Sequence, residues 1–222
     1  MSKSKTYKLI LTSKGLNIRK GTILIRRAYE KEKIKYGSIF LITFPRYEVD
    51  EIVVRNCEEL GFKNIFLTKE FEGKSICEMP EVDVIYVTEG NTFEIIDYIR
   101  KNHFDTYLCN MVDNGATYIG SSAGAILASA WFKCALDFDS NFSGVYDFTG
   151  FNLLPREGNF SDTVIPHYTY KQIQNYIGSL PDEEVGKYRT IYNIANDEVL
   201  ILECQRIGQD VHLLKKRRIR EE

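Results

Sequence analysis

Apolar positions along the chain follow two alternating rhythms. Short runs rich in β-branched and aromatic residues read as strands: "YKLILTS" (7–13), "SIFLITF" (38–44), "KNIFLTK" (63–69) and "VDVIYVT" (82–88). Between them, apolar positions recur at helical spacing from about 22 to 33, in "EVDEIVVRNCEELGF", in "TFEIIDYIRKN" (92–102) and in "FDTYLCNMVDNG". Strands that are apolar throughout must be covered on both faces, and helices between them supply the cover. The pattern predicts an α/β fold: a three-layer, doubly wound, mostly parallel sheet.

The final third changes character. "FNLLPREGNF" is turn-rich, "DTVIPHYTY" reads as a short strand, and "TIYNIANDEVLILECQRIGQDVHLL" reads as strands joined by turns at Asn196-Asp197 and Gly208-Gln209. This predicts an extension of the sheet closed by a C-terminal β-hairpin. Residues 1–214 are expected to form a single domain. Residues 215–222 are expected to be a charged, solvated tail: Lys215, Lys216, Arg217, Arg218 and Arg220, closed by Glu221 and Glu222.

Composition narrows the function classes. The chain has 222 residues and a net charge of −2, so no global charge favours nucleic acid or an anionic membrane. No apolar run approaches a membrane span, and the N-terminal "LILT" is too short for a signal-peptide core. Five cysteines without close pairing suggest free thiols in a reducing compartment, hence a cytoplasmic protein. Three dispersed histidines and no paired cysteines or H-E-x-x-H string give no reason to expect a metal or other cofactor.

The candidate chemistry lies in "ATYIGSSAGAILAS" (116–129), where a strand runs straight into Gly120-Ser121-Ser122-Ala123-Gly124 and a small-residue helix. A nucleophile elbow needs small residues two positions either side of the nucleophile, because the strand and helix backbones nearly touch there. Gly120 and Gly124 meet that need around Ser122. A frame centred on Ser121 would place Ile119 and Ala123 there and fits worse. The Ala123 amide at the helix start would face a developing oxyanion. A serine helix cap or an anion-binding turn would satisfy the same string. A serine nucleophile also needs a base. Of His103, His167 and His212, the first sits in a charged "RKNHF" turn and the last in the closing hairpin. His167, in "VIPHYT" directly after a strand, is left as the best candidate.

"LILTSKG", "VIYVTEGNTFEII", "YIGSSAGAILAS" and "VIPHYT", in this order, resemble the dipeptidase E and cyanophycinase group of serine peptidases, close to its dipeptidase E-like branch. The resemblance implies a class I glutamine amidotransferase-like fold and a Ser-His-acid triad cleaving dipeptides or very short peptides through an acyl-enzyme. It implies Ser122 as nucleophile, His167 as base and Asp137 as acid, with Asp139 an open alternative. It places the second oxyanion donor on the Gly90 amide, opposite Ala123, and brings Asn91 and Thr92 to the substrate. No partner beyond the peptide is implied; a monomer or homodimer is expected.

Two departures stand out. Glu89 puts an anion beside the oxyanion glycine, where the group commonly has a glycine-rich run. The arginine that selects an N-terminal aspartate has no clear counterpart, Lys171 and Arg189 being the nearest candidates. Both keep open a non-catalytic or altered-specificity binding protein. Hydrolysis of β-aspartyl linkages and a cysteine hydrolase are weaker readings.

Overall fold

The apolar strands are buried on both sides, as their composition requires. The computed structural model describes residues 6–34, 36–43 and 47–220. Phe44, at the end of one predicted strand, and Glu221 and Glu222 lie outside that set. In chain order the first half comprises β1 (Thr6–Thr12), α1 (Arg19–Glu32), β2 (Ser38–Ile42), α2 (Tyr47–Leu60), β3 (Asn64–Leu67), β4 (Val84–Val87), α3 (Thr92–Lys101), α4 (Phe104–Asp113), β5 (Thr117–Ser121) and α5 (Ala123–Leu127). The second comprises β6 (Arg156–Glu157), β7 (Phe160–Pro166), α6 (Tyr170–Ser179), α7 (Asp182–Val185), β8 (Tyr188–Ile194), β9 (Glu198–Ile207) and β10 (Asp210–Arg220).

One ten-stranded sheet runs in the order β3-β2-β4-β5-β1-β9-β10-β6-β7-β8. The five strands from β3 to β1 are mutually parallel, and β9 joins β1 antiparallel. Successive side chains of a strand point to opposite faces, and the core divides accordingly. Ile10, Leu41, Tyr86 and Ile119 pack with Leu24 and Ala28 of α1 and Val53 of α2. Leu9, Leu11, Phe40, Val87 and Tyr118 pack on the other face with α3, α4 and α5. Three layers result, as predicted.

Beyond β9 the sheet changes rule. β9 and β10 form the predicted hairpin, while β7 and β8 pair parallel at the far edge. The sheet curls so that β7, remote from β5 in strand order, packs against α5. Ser129, just past α5, meets Thr163 of β7 with hydroxyl oxygens 3.0 Å apart. This curl brings the C-terminal ends of β7 and β8 to those of β1, β4 and β5, the edge where parallel α/β sheets build their sites.

The basic segment expected to be a solvated tail is instead part of β10, which pairs with β9 as far as Arg220. The cause is two acids with almost no solvent exposure. Glu32 takes Lys8, Lys215 and Arg217 as partners, and Glu198 takes Arg218 and Arg220. A buried carboxylate needs paired charge, and the segment supplies it.

Candidate functional site

β5 ends at Ser121, and the chain reverses at Ser122 with φ 48° and ψ −107°, a region that disfavours any side chain. Such backbone strain costs about 1–3 kcal/mol and persists only where the surroundings impose it. Here they do so with hydrogen bonds. The Ser122 amide donates to the Thr12 carbonyl of β1 (2.8 Å), and the buried Tyr118 hydroxyl donates to the Gly124 carbonyl (2.6 Å). A Cβ on Gly120 would lie 2.6 Å from the Gly124 carbonyl oxygen, and one on Gly124 would strike the Val87 carbonyl. The flanking glycines are therefore steric requirements of the elbow.

Ser122 Oγ lies 2.8 Å from His167 Nε2. His167 follows β7 with φ 65°, another conformation unusual for a residue with a side chain. Its backbone amide donates to Ser13 Oγ (2.8 Å), and that hydroxyl donates onward to the Ile194 carbonyl at the end of β8 (2.6 Å). Ser13 is buried, so one hydroxyl ties β1 to the ends of both β7 and β8. On the other side of the imidazole, Nδ1 lies 2.8 Å from Asn196 Oδ1, in the turn between β8 and β9.

The Ala123 amide follows the serine directly in sequence, and among the described residues neither it nor the Gly90 amide donates to an acceptor. Gly90 has φ 139°, which glycine adopts without strain. α5 has only five residues, so Ala123 contributes a single amide more than a helix field. The Glu89 carboxylate accepts the Gly15 amide (3.0 Å), pinning the loop after β4 to the loop after β1.

A family model describing peptidase family S51 matches residues 44–209. The chain belongs to peptidase family S51. It is a serine-type peptidase. An uncharacterised peptidase of Listeria monocytogenes is 28% identical over 148 residues, covering 65% of this chain and 69% of its own. Peptidase E of Nostoc is 25% identical over 193 residues, covering 82% of this chain and 74% of its own. A crystal structure of a Listeria monocytogenes protein provisionally described as peptidase E superposes with a TM-score of 0.63. It is 21% identical and covers 97% of this chain and 100% of that one, a likeness of fold.

In this S51 peptidase Asp137 does not reach His167. Its carboxylate accepts the Tyr176 hydroxyl (2.8 Å), in an aromatic group of Phe138, Tyr168 and Tyr176 beside the histidine. Asp137 thus holds α6 to the preceding loop, and the turn carrying Asn196 occupies the place beside Nδ1. Asp139 is taken by Thr92, whose amide (2.9 Å) and hydroxyl (2.6 Å) both donate to it. Asn91 caps α3 by accepting the Phe93 and Glu94 amides and donates to the Ser140 carbonyl. The Asn91 and Thr92 side chains therefore brace this loop. Arg189 is engaged by the fully buried Asp162 (3.0 Å), and Lys171 is exposed on α6.

Sequence reasoning missed Ser13 and Asn196. Ser13 stands in the "LILTSKG" string that carried part of the resemblance, and Asn196 was legible only as a turn former. Burial pushes the thiols of Cys57, Cys134 and Cys204 up to about 12, so they stay protonated at neutral pH. Such thiols are poor nucleophiles. Among the described residues no three His, Cys, Asp or Glu side chains converge to hold a metal ion, and no helix is long and apolar enough to cross a membrane.

Proposed function

We propose that this S51 peptidase hydrolyses dipeptides or other very short peptides, with Ser122 as nucleophile and His167 as general base and then general acid. The observation that carries the reading is the 2.8 Å contact between Ser122 Oγ and His167 Nε2, made from an elbow with φ 48°. As Oγ bonds to the scissile carbonyl carbon, its proton passes to Nε2. The Gly90 and Ala123 amides receive the carbonyl oxygen as it becomes an oxyanion. The C–N bond then breaks, Nε2 returns the proton to the leaving amine, and water releases the acyl group through the same histidine. The restriction to very short peptides rests on the resemblance to dipeptidase E and on the relatives called peptidase E.

The experiment is amine release from a panel of dipeptides, including Asp-Xaa and β-Asp-Xaa, by wild type and Ser122→Ala. Turnover by wild type alone is expected. Equal turnover by both proteins would remove Ser122 from the mechanism. Binding of a peptide without turnover by either folded protein would replace the reading with a ligand-binding role.

A further inference from the structure

The ends of β7 and β8 remote from His167 border a second concavity, about 440 Å³ in volume, a size that suits a small molecule. Both strands have seven residues, so it lies about 20 Å along the sheet from the serine–histidine pair. Four aromatic residues line it: Trp131, Tyr146, Phe148 and Tyr188. Arg156, Lys133 and Lys187 bring positive charge to the same lining. We propose that this pocket binds a small planar aromatic anion, a ring carrying a carboxylate or a phosphate. The site is separate from Ser122 and does not depend on the peptidase reading.

The aromatic part of the lining is anchored to the fold. The Phe132 amide donates to the Phe148 carbonyl (3.0 Å), and Trp131 bridges to Thr149. Arg100 of α3 donates to the carbonyls of Asp147 (2.8 Å) and Thr149 (2.7 Å). The Phe148 ring packs edge-on against Phe93 and Phe132 of the core. Even so, Trp131 is 42% exposed and Tyr146 91%, so broad ring faces are left in water. A flat ring laid on them would remove that surface from water and add aromatic contact.

Aromatic walls alone would also suit a cation. The charged groups decide against one. The single acid of the lining, Asp147, is already taken by Arg100 (3.3 Å) and by the Thr149 amide and hydroxyl. Glu157, next to Arg156 in sequence, lies 3.9 Å from Arg189. Arg156 is the group best placed for an anion. Its backbone is fixed between Val211 of β10 and Ser161 of β7, and its Nε donates to the Gly158 carbonyl (2.8 Å). Among the described residues its two Nη groups donate to no acceptor. Such a fork matches two oxygens of a carboxylate or phosphate. Asn159, also in the lining, carries an amide that can donate to the same group.

Trp131 is the one tryptophan of the chain, so its emission reports on this pocket directly. The titration uses adenosine 5′-monophosphate and N-acetylphenylalanine, each against its neutral counterpart, adenosine and N-acetylphenylalanine amide, with calorimetry for the affinities. A saturable change in Trp131 emission is expected with at least one of the two anions, and the one that responds names the charged group. Its neutral counterpart should bind more weakly by the order of 10-fold or more. Arg156→Gln should weaken binding by a similar factor. Tyr146→Ala, at a residue too exposed to matter for folding, should weaken it as well, and both variants should keep the wild-type melting temperature. Binding should persist in Ser122→Ala. No saturable change with either anion would overturn the proposal. So would equal affinity for the neutral counterpart, a comparison made on unaltered protein, or wild-type affinity in folded Arg156→Gln. Emission that shifts with protein concentration alone, with a doubled mass in sedimentation, would overturn it in favour of a second copy of this chain on the same face.

Discussion

The two halves of the candidate site are built by different means. The part from β1 to α5 places its groups mainly through backbone, braced by one buried tyrosine hydroxyl. The Thr12 carbonyl holds Ser122, the Tyr118 hydroxyl holds Gly124, and the Gly90 and Ala123 amides come from loops at the ends of neighbouring parallel strands. The part from β6 to β10 places its groups through side chains: Ser13 reaching across to His167, Asn196 on a hairpin turn, Glu198 gripped by two arginines. Backbone placement follows from strand register, so the first half is set by the pairing of neighbouring parallel strands. Side-chain placement depends on contacts between residues far apart in the chain, so the second half is held by few groups and is sensitive to each.

The sharpest probe of the first half is Ser122→Gly. Hydrolysis should be lost to the limit of detection. Because glycine accepts φ 48° and ψ −107°, the variant should also be more stable by about 1 kcal/mol or more in denaturant unfolding. An unchanged or lowered stability would mean that the elbow stores no strain.

For the second half, Ser13→Ala removes one hydroxyl and leaves the His167 amide and the Ile194 carbonyl without their partner. A stability loss of about 1–3 kcal/mol is expected from the unsatisfied groups. A kcat loss of the order of 10- to 100-fold at near-constant KM should accompany it, from misplacement of His167. Stability lost without any change in kcat would show that β7 and β8 place the histidine unaided.

The smallest effect separates the halves by pH. Burial alone would raise the Glu198 carboxyl, but the Ala195 amide, Arg220 and Arg218 outweigh it and hold the group below the ordinary glutamate value. Burial likewise opposes, and Lys8, Arg217 and Lys215 outweigh, at Glu32. Groups held low in the fold contribute stability that is complete above the range where unfolded glutamate titrates, near 4.5, and is lost as pH falls through their folded values. Amide exchange should therefore speed up in β10 and in the turn at Asn196 before it does in β4 and β5 as pH drops below that range. Uniform acceleration across the sheet would contradict the division.

The first half was nearly legible in the sequence. Its strands are apolar throughout and its helices amphipathic, so element type follows from pattern alone; only the ends moved by a few residues. Gly120, Ser122 and Gly124 could be read because an elbow is a contiguous motif with a steric rule. The second half was less legible for a physical reason. "KKRRIR" has the composition of a solvated tail, and nothing local reveals that buried Glu32 and Glu198 await its charges. The proximity of Asp137 to Ser122 in sequence gave no information about distance to Nδ1, and the acid is bonded to Tyr176 instead.

By itself, then, the sequence determined the layered α/β sheet, the elbow serine and, by elimination, its histidine, because each is written in adjacent residues or in a single period. The tertiary structure alone determined that Asn196 faces that histidine and that Ser13 ties β1 to the ends of β7 and β8. Those outcomes depend on how far the sheet curls beyond β9. That curl comes from the packing of β7 on α5 and from the charge pairs of β10, which join residues too distant in the chain for any local pattern to record.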